Sequence, residues 1–231
     1  MVPGSNPEAD FEIAQVEALQ NIRPKATLIR CAYNPQRFTI TRVREEMQEE
    51  LGIPPNVTVI GRSSHLDKSK GVYEFVQVLA QIPEAYGLMV GEGKEYESLR
   101  RYATQLGCSD RLIMPGVKND LGNYFNAIDI ICFPTLDEVA CGGVHEPLFL
   151  QKPVVCYPIG GIGEVIQHRK SGLHAHNISE LIHWTKYLIT NPSVGKALGE
   201  AGWARLKQNG QDNPLSKAQQ HLDLYRSLRD Q

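Results

Sequence analysis

Several things are scarce in this chain of 231 residues, and each scarcity removes a class of protein. No apolar run approaches the ~20 residues that a membrane-spanning helix needs, and Met1 to Asn6 lack the apolar stretch of a secretory signal. Five cysteines, an odd number without C-x-x-C spacing, argue against both a disulfide framework and a zinc site. Cys132 and Cys156, inside apolar runs, read as small core residues. A formal charge of -2 provides no overall basic field for nucleic acid, so any bound anion must be held by local charges. There is no internal repeat and no low-complexity segment. What remains, with 42% hydrophobic and 22% charged residues, is a chain able to bury one substantial core. It is expected in the cytoplasm, either free or attached peripherally to a membrane.

The middle of the chain alternates strand and helix patterns. Strands are expected at Val57 to Gly61, Gly87 to Gly91, Arg111 to Met114, Ala127 to Pro134 and Lys152 to Tyr157. Between them, Val72, Phe75, Val76 and Leu79 recur at helical spacing, as do Leu99, Tyr102, Ala103 and Leu106, and a short helix is expected near Leu121 to Asn126. Beyond Ile178 the pattern is helical to the end, interrupted at Asn191-Pro192 and again from Asn209 to Pro214. This alternation predicts an α/β fold with a doubly wound, Rossmann-like parallel sheet covered on both faces.

At one strand-to-helix junction, Glu138 and Glu146 stand eight positions apart around the pair Gly142-Gly143. In an open α/β sheet, ligands bind at such carboxyl-end crevices. Gly142 and Gly143 leave room for a phosphate to approach the main chain, and Glu138, at the strand end, can accept hydrogen bonds from sugar hydroxyls. Glu146, expected where the helix begins, would repel a phosphate set directly on it and is therefore assigned to ribose hydroxyls. The arrangement suits a sugar nucleotide. Two solvated glutamates flanking a surface loop would give the same pattern, and the pair alone does not decide.

Its company does. Glu138, Glu146, Pro153, Val154 and Val155, preceded by Val59-Ile-Gly61-Arg62 and Lys70-Gly71 and followed by Gly160-Gly161-Ile-Gly-Glu164 and Ser171-Gly172-Leu173, form an ordered series. Over roughly residues 25 to 230 this series resembles the family 4 (group 1) glycosyltransferases, and within them the donor-binding half of the two-domain GT-B fold. The resemblance implies a nucleotide-sugar-binding domain over 57–231, preceded by a segment, 1–56, resembling the end of the acceptor half and the interdomain link. In that segment Phe11 to Leu19 resembles a last helix region. The final helix, Leu215 to Leu228, would pack on the acceptor half and otherwise expose apolar surface.

The resemblance also implies roles. Arg62, Lys70 and Glu138 would be catalytic, and Gly61, Val117, Cys141, Gly142, Gly143 and Glu146 would bind the donor, with Pro115 to Lys118 beside the base. The chain has no Asp-x-Asp metal motif, so Arg62, with its planar fork, and Lys70, as a point charge, would stabilise the departing diphosphate with no metal or other cofactor. Two departures stand out. Cys141 replaces a usual glycine, and the interval from Arg62 to Lys70 is longer than in the family, so Lys68 competes with Lys70. Gly91-Glu92-Gly93 reads as a tight turn closing the cleft, and His145 as structural or incidental. The function implied is retaining transfer from a nucleotide sugar to a saccharide or lipid-linked acceptor, with an acceptor-domain subunit or a second copy of the chain as partner. The alternatives are a non-catalytic nucleotide-sugar-binding module and an interaction protein with a decayed cleft. The sugar, base and acceptor stay open.

Overall fold

The computed structural model describes residues 13–14, 27–137 and 142–229. Its centre is a six-stranded sheet in the order β5-β4-β3-β6-β7-β8. The strands are β3 (Thr58–Ser63), β4 (Ala85–Val90), β5 (Leu112–Ile113), β6 (Ile130–Phe133), β7 (Val154–Cys156) and β8 (Leu173–His174). Every pairing in it is parallel. Strand order runs one way from β3 through β5 and the other way from β6 through β8, so β3 and β6 flank the reversal point. The carboxyl edge there is where a doubly wound sheet opens a crevice.

Two apolar clusters cover the two faces, and the strand pleat deals residues to them alternately. Ile60, Met89, Ile130, Cys132 and Val155 pack with Phe75 and Leu79 of helix α2 (Val72–Ala80), Leu99 of α3 (Tyr96–Gln105) and Leu181 of α7 (Ile178–Thr190). Val59, Leu88, Ile131, Phe133, Val154 and Cys156 pack with Met47 of α1 (Arg44–Glu50), Phe125 of α4 (Leu121–Ala127), Leu148 of α5 (Gly142–Phe149) and Leu206 of α8 (Pro192–Gln208). Burial drives the Cys132 thiol up to about 12, which leaves it an inert apolar filler. Helices α6 (Ile162–Val165) and α9 (Pro214–Arg229) complete the set among the described residues.

The expected strands and helices from residue 57 onward are all present, with ends displaced by one to three residues. Helix α1 and strand β8 were not legible. The α1 sequence offers a single apolar anchor, Met47, which is fully buried, and one residue makes no period. Two-residue β8 is too short to show alternation. Of Phe11 to Leu19, expected as a helical region, only Ile13–Ala14 is described. Those two residues instead form strand β1, paired in parallel with β2 (Thr27–Leu28), so long-range pairing has overridden local pattern. Ile53 joins the larger sheet's core and is buried, as is Phe38, so parts of the segment before residue 57 pack on the main domain.

The amino edge of the sheet carries a charge cluster with a measurable cost. Both Asp129 carboxylate oxygens accept from Arg44, at 2.7 Å each, and one also takes the Val59 amide at 2.8 Å. Lys152 is left with the Asn126 carbonyl at 3.3 Å. Burial, countered by Asp129 and reinforced by Arg44, brings its ammonium down to about 8. An unfolded lysine holds its proton to about 10.4. Between these values the unfolded chain binds more protons at this lysine, so the Lys152 contribution to stability rises with pH through that window. Lys152→Met should abolish this rise: in urea unfolding, the gap between variant and wild type should narrow by on the order of 2 kcal/mol from about pH 7 to about pH 10. Parallel pH curves would show that Lys152 folds without this penalty.

Candidate functional site

The site is assembled from two segments at the β3–β6 reversal point. The first follows β3. After Ser63 the chain turns through a 3₁₀ helix, Lys68–Lys70, capped by Asp67, whose carboxylate accepts from the Ser69 amide at 2.9 Å. The same Asp67 pairs with Lys94 at 2.8 Å. The hydrogen bond from Lys94 and the Ser69 amide hold its carboxyl well below the usual carboxylate range. Gly71 ends the turn with φ of 64°, and helix α2 starts at once.

The second segment follows β6. Pro134 lies so close to the turn that a Cβ on Gly71 would stand 1.7 Å from the Pro134 carbonyl oxygen. Beyond it, the Ser69 carbonyl accepts from the Leu136 amide at 2.8 Å and the Asp137 amide at 3.0 Å, and the Thr135 hydroxyl stands 3.4 Å from it and 3.2 Å from the Asp137 carbonyl. Lys70 closes the loop by donating its ammonium to the Asp137 carbonyl at 2.9 Å. The lysine turn and the strand end that leads into the glutamate motif are therefore one hydrogen-bonded unit. Lys68 is separate: it is exposed, with its ammonium 6.0 Å from the Tyr73 ring centroid.

Helix α5 begins at Gly142, four residues earlier than the expected start at Glu146. The glycines explain the shift. A Cβ on Gly143 would meet the Phe133 ring at 2.7 Å and the Ser63 carbonyl at 3.3 Å, so only glycine lets the helix start against the ends of β6 and β3. The first amides of α5 consequently lie at the carboxyl edge, where they have no intrahelical acceptor. Glu146 is half-buried on the second turn. Glu138 and Cys141 lie outside the described residues.

Other expected residues fall as follows. Arg62 is fully buried, donating to the Gly71 carbonyl at 3.3 Å and the Ser64 hydroxyl at 2.9 Å, with its guanidinium carbon 5.0 Å from the Phe133 ring centroid. In this geometry it braces the lysine turn from below; direct contact with a phosphate would require it to become accessible. Gly61 is buried, and its missing Cβ leaves the space that Ile128 fills, with contacts near 2.4 Å for any side chain placed there. Val117 is exposed after β5. His145 is buried, its Nε2 2.7 Å from Gln211 and its ring stacked on Tyr33 at 5.0 Å, which gives it a packing role. The parts that the sequence did not reveal are Asp67, Lys94 and the Ser69 carbonyl: a backbone acceptor has no sequence signal, and the Asp67–Lys94 pair joins positions far apart in the chain.

A cavity of about 560 Å³ opens beside the unit, at the carboxyl ends of β4 and β5, lined by His65, Glu92, Gly93, Tyr96, Met114, Pro115 and Gly116. The Gly91 amide donates to the Gly116 carbonyl at 3.0 Å and the Tyr96 hydroxyl to the Met114 carbonyl at 3.1 Å, which join its walls. A second groove of similar size lies at the amino edge of the sheet near Lys152, away from these elements. Among the described residues no group of three His, Cys, Asp or Glu is placed to hold a metal, and no helix is long and apolar enough to cross a membrane.

Residues 43–204 match the family model described as glycosyl transferases group 1. Among curated proteins, the chain is 28% identical over 180 residues to the D-inositol 3-phosphate glycosyltransferase of Corynebacterium urealyticum, covering 71% of this chain and 42% of that protein. It is 24% identical over 170 residues to the 2-deoxystreptamine glucosyltransferase of Streptomyces kanamyceticus, covering 68% of this chain and 43% of that protein. The chain thus spans about two-fifths of the length of these relatives. Among solved structures, that of Anabaena HepE in complex with UDP and glucose superposes with a TM-score of 0.86 at 22% identity, covering 95% of this chain and 63% of that one.

Gly71 is the position where this geometry is most exposed to test. Gly71→Ala adds a methyl where a carbonyl oxygen already stands, at a left-handed φ, and should destabilise the protein by at least about 2 kcal/mol in denaturant unfolding. Gly163→Ala, whose Cβ would find its nearest neighbour at 3.7 Å, should stay within about 0.5 kcal/mol. Equal effects would mean that the turn and Pro134 are not in contact.

Proposed function

Because the chain belongs to the group 1 glycosyl transferases, we propose that it binds a nucleotide-sugar donor at the β3–β6 reversal point and transfers the sugar, with retention, to a saccharide or lipid-linked acceptor. The observation that carries this reading is the union of the Lys70 turn with the β6 end and the start of α5. It supplies one cation and a helix start whose first amides have no intrahelical acceptor, a combination suited to a diphosphate. HepE holds UDP in its solved complex, which makes uridine diphosphate the first probe.

Each residue then has a task. The α5 amides at Gly142 and Gly143 and the Lys70 ammonium take the diphosphate, whose charge grows as the glycosidic bond breaks. Glu146 binds the ribose, Glu138 the sugar hydroxyls, and Cys141 lies in the donor loop. Val117 stands by the base, and Gly61 lets the strands pack closely enough to form the edge. Arg62 holds the lysine turn, and contributes charge directly if donor binding uncovers it. The donor's own β-phosphate oxygen takes the acceptor proton. No metal or other cofactor is assigned.

The acceptor site belongs to a second half, supplied by an acceptor-domain subunit, a longer form of the chain or another copy. Helix α9 supports this, since Leu215, Leu222 and Tyr225 are exposed along one side of it at intervals of seven and three residues. A transfer site must also exclude water and orient the acceptor, and one wall does neither. The burial of Arg62 favours one other reading, a nucleotide-sugar-binding module that does not catalyse.

Affinity measurements on paired variants separate the glutamate roles. Glu146→Ala should weaken UDP and UDP-sugar alike, by about tenfold, whereas Glu138→Ala should weaken only the UDP-sugar. EDTA should leave both affinities unchanged. Equal losses from the two variants would overturn the role assignment, and a strict need for added Mg²⁺ or Mn²⁺ would show that a metal holds the diphosphate.

A further inference from the structure

The extra length between Arg62 and Lys70 is not a loose loop. Its backbone continues alongside the stretch after β4: the Ser64 amide donates to the Val90 carbonyl at 3.1 Å, the Leu66 amide to the Glu92 carbonyl at 2.8 Å, and the Glu95 amide to the Leu66 carbonyl at 3.2 Å. Gly91 and Gly93, with φ of 136° and 159°, allow this contact. A Cβ at either position would stand 2.0 Å from the Ser64 carbonyl oxygen or 2.3 Å from that of Leu66. Leu66 is fully buried in the core, and Asp67 pairs with Lys94 just beyond.

Ser64 meets Arg62 and Leu66 meets the core, so the residue between them, His65, is left exposed at the cavity beside the diphosphate site. Among the described residues, the cavity's lining has no lysine or arginine and one carboxylate, Glu92. It is therefore suited to an uncharged ring rather than to phosphate. Its volume of about 560 Å³ lies within the roughly 300–1,000 Å³ of small-molecule pockets.

We propose that His65, presented by the rigid Ser63–Ser69 segment, contacts the nucleobase of the bound nucleoside diphosphate and sets the preference among bases. The inference rests on the donor reading above and adds a residue to it. The imidazole offers a flat face for stacking and a ring nitrogen for hydrogen bonding to the base edge. Because the same segment runs directly into the Lys68–Lys70 turn, base recognition and diphosphate recognition share one rigid support.

The test compares binding of UDP, GDP, ADP and inorganic pyrophosphate to the full chain by titration calorimetry, for wild type, His65→Ala and Lys70→Ala. His65→Ala should weaken the preferred nucleoside diphosphate about tenfold, flatten the ranking of the three bases and leave pyrophosphate unchanged. Lys70→Ala should weaken all four. An unchanged melting temperature is expected for His65→Ala, because the side chain is exposed. If Lys70→Ala acts as stated while His65→Ala leaves the base ranking intact, His65 is not a specificity residue and the donor reading survives. If His65→Ala weakens pyrophosphate as much as the nucleotides, the residue serves the phosphate turn and the proposal is wrong. Failure of the wild type to bind any of the four probes would overturn the donor reading and this inference together.

Discussion

The carbonyl of Ser69 accepts from the Leu136 and Asp137 amides, and on that pair of hydrogen bonds the rest of the site depends. It joins the turn after β3 to the end of β6 at the place where strand order reverses. The turn is already held to the stretch after β4 through Ser64 and Leu66, and this tie adds the end of β6 to it. With it, Lys70, Gly71, Pro134 and the entry to the glutamate motif keep fixed relative positions. Arg62 strengthens the same unit from inside through the Gly71 carbonyl and the Phe133 face.

The close approach that makes this possible is written in glycines. Gly71 against Pro134, Gly143 against Phe133, and Gly91 and Gly93 against Ser64 and Leu66 each occupy a place where a methyl group would collide. Together they bring three strand ends, a 3₁₀ turn and a helix start to one edge. Packing of the two core clusters then holds the sheet that carries them. An electrostatic site assembled on such a frame needs little rearrangement to meet a diphosphate, which is where preorganised dipoles are most effective.

The fold from residue 57 onward was legible because long buried strands and amphipathic helices announce themselves by period. Strands β3, β4, β6 and β7 and helices α2, α3, α7, α8 and α9 all follow that rule. Two elements escaped it: α1 has only Met47 as an anchor, and β8 has two residues and no extended apolar run around it. The site was legible as a set of residue types in order, yet its geometry was not. Arg62 reads in sequence as a cation facing the diphosphate and is fully buried, and Glu146 reads as a helix start and stands on the second turn. Both differences arise from contacts with neighbours remote in sequence, Phe133 against Arg62 and against Gly143, which local pattern cannot display. His65 and the Asp67–Lys94 pair were hidden for the same reason.

The family accounts for the fold, and on the proposed reading this chain's own residues decide how a donor is held. His65, in the segment after Arg62, lines the cavity at the carboxyl ends of β4 and β5, and α9 carries Leu215, Leu222 and Tyr225 exposed. The most direct test of the central claim is titration calorimetry of the full chain with UDP-, GDP- and ADP-sugars. Saturable binding of one nucleotide sugar at one site per chain, undiminished by EDTA, is the predicted result. Absence of binding to every nucleotide sugar would contradict the account and leave a group 1 glycosyl transferase fold whose cleft no longer holds a donor.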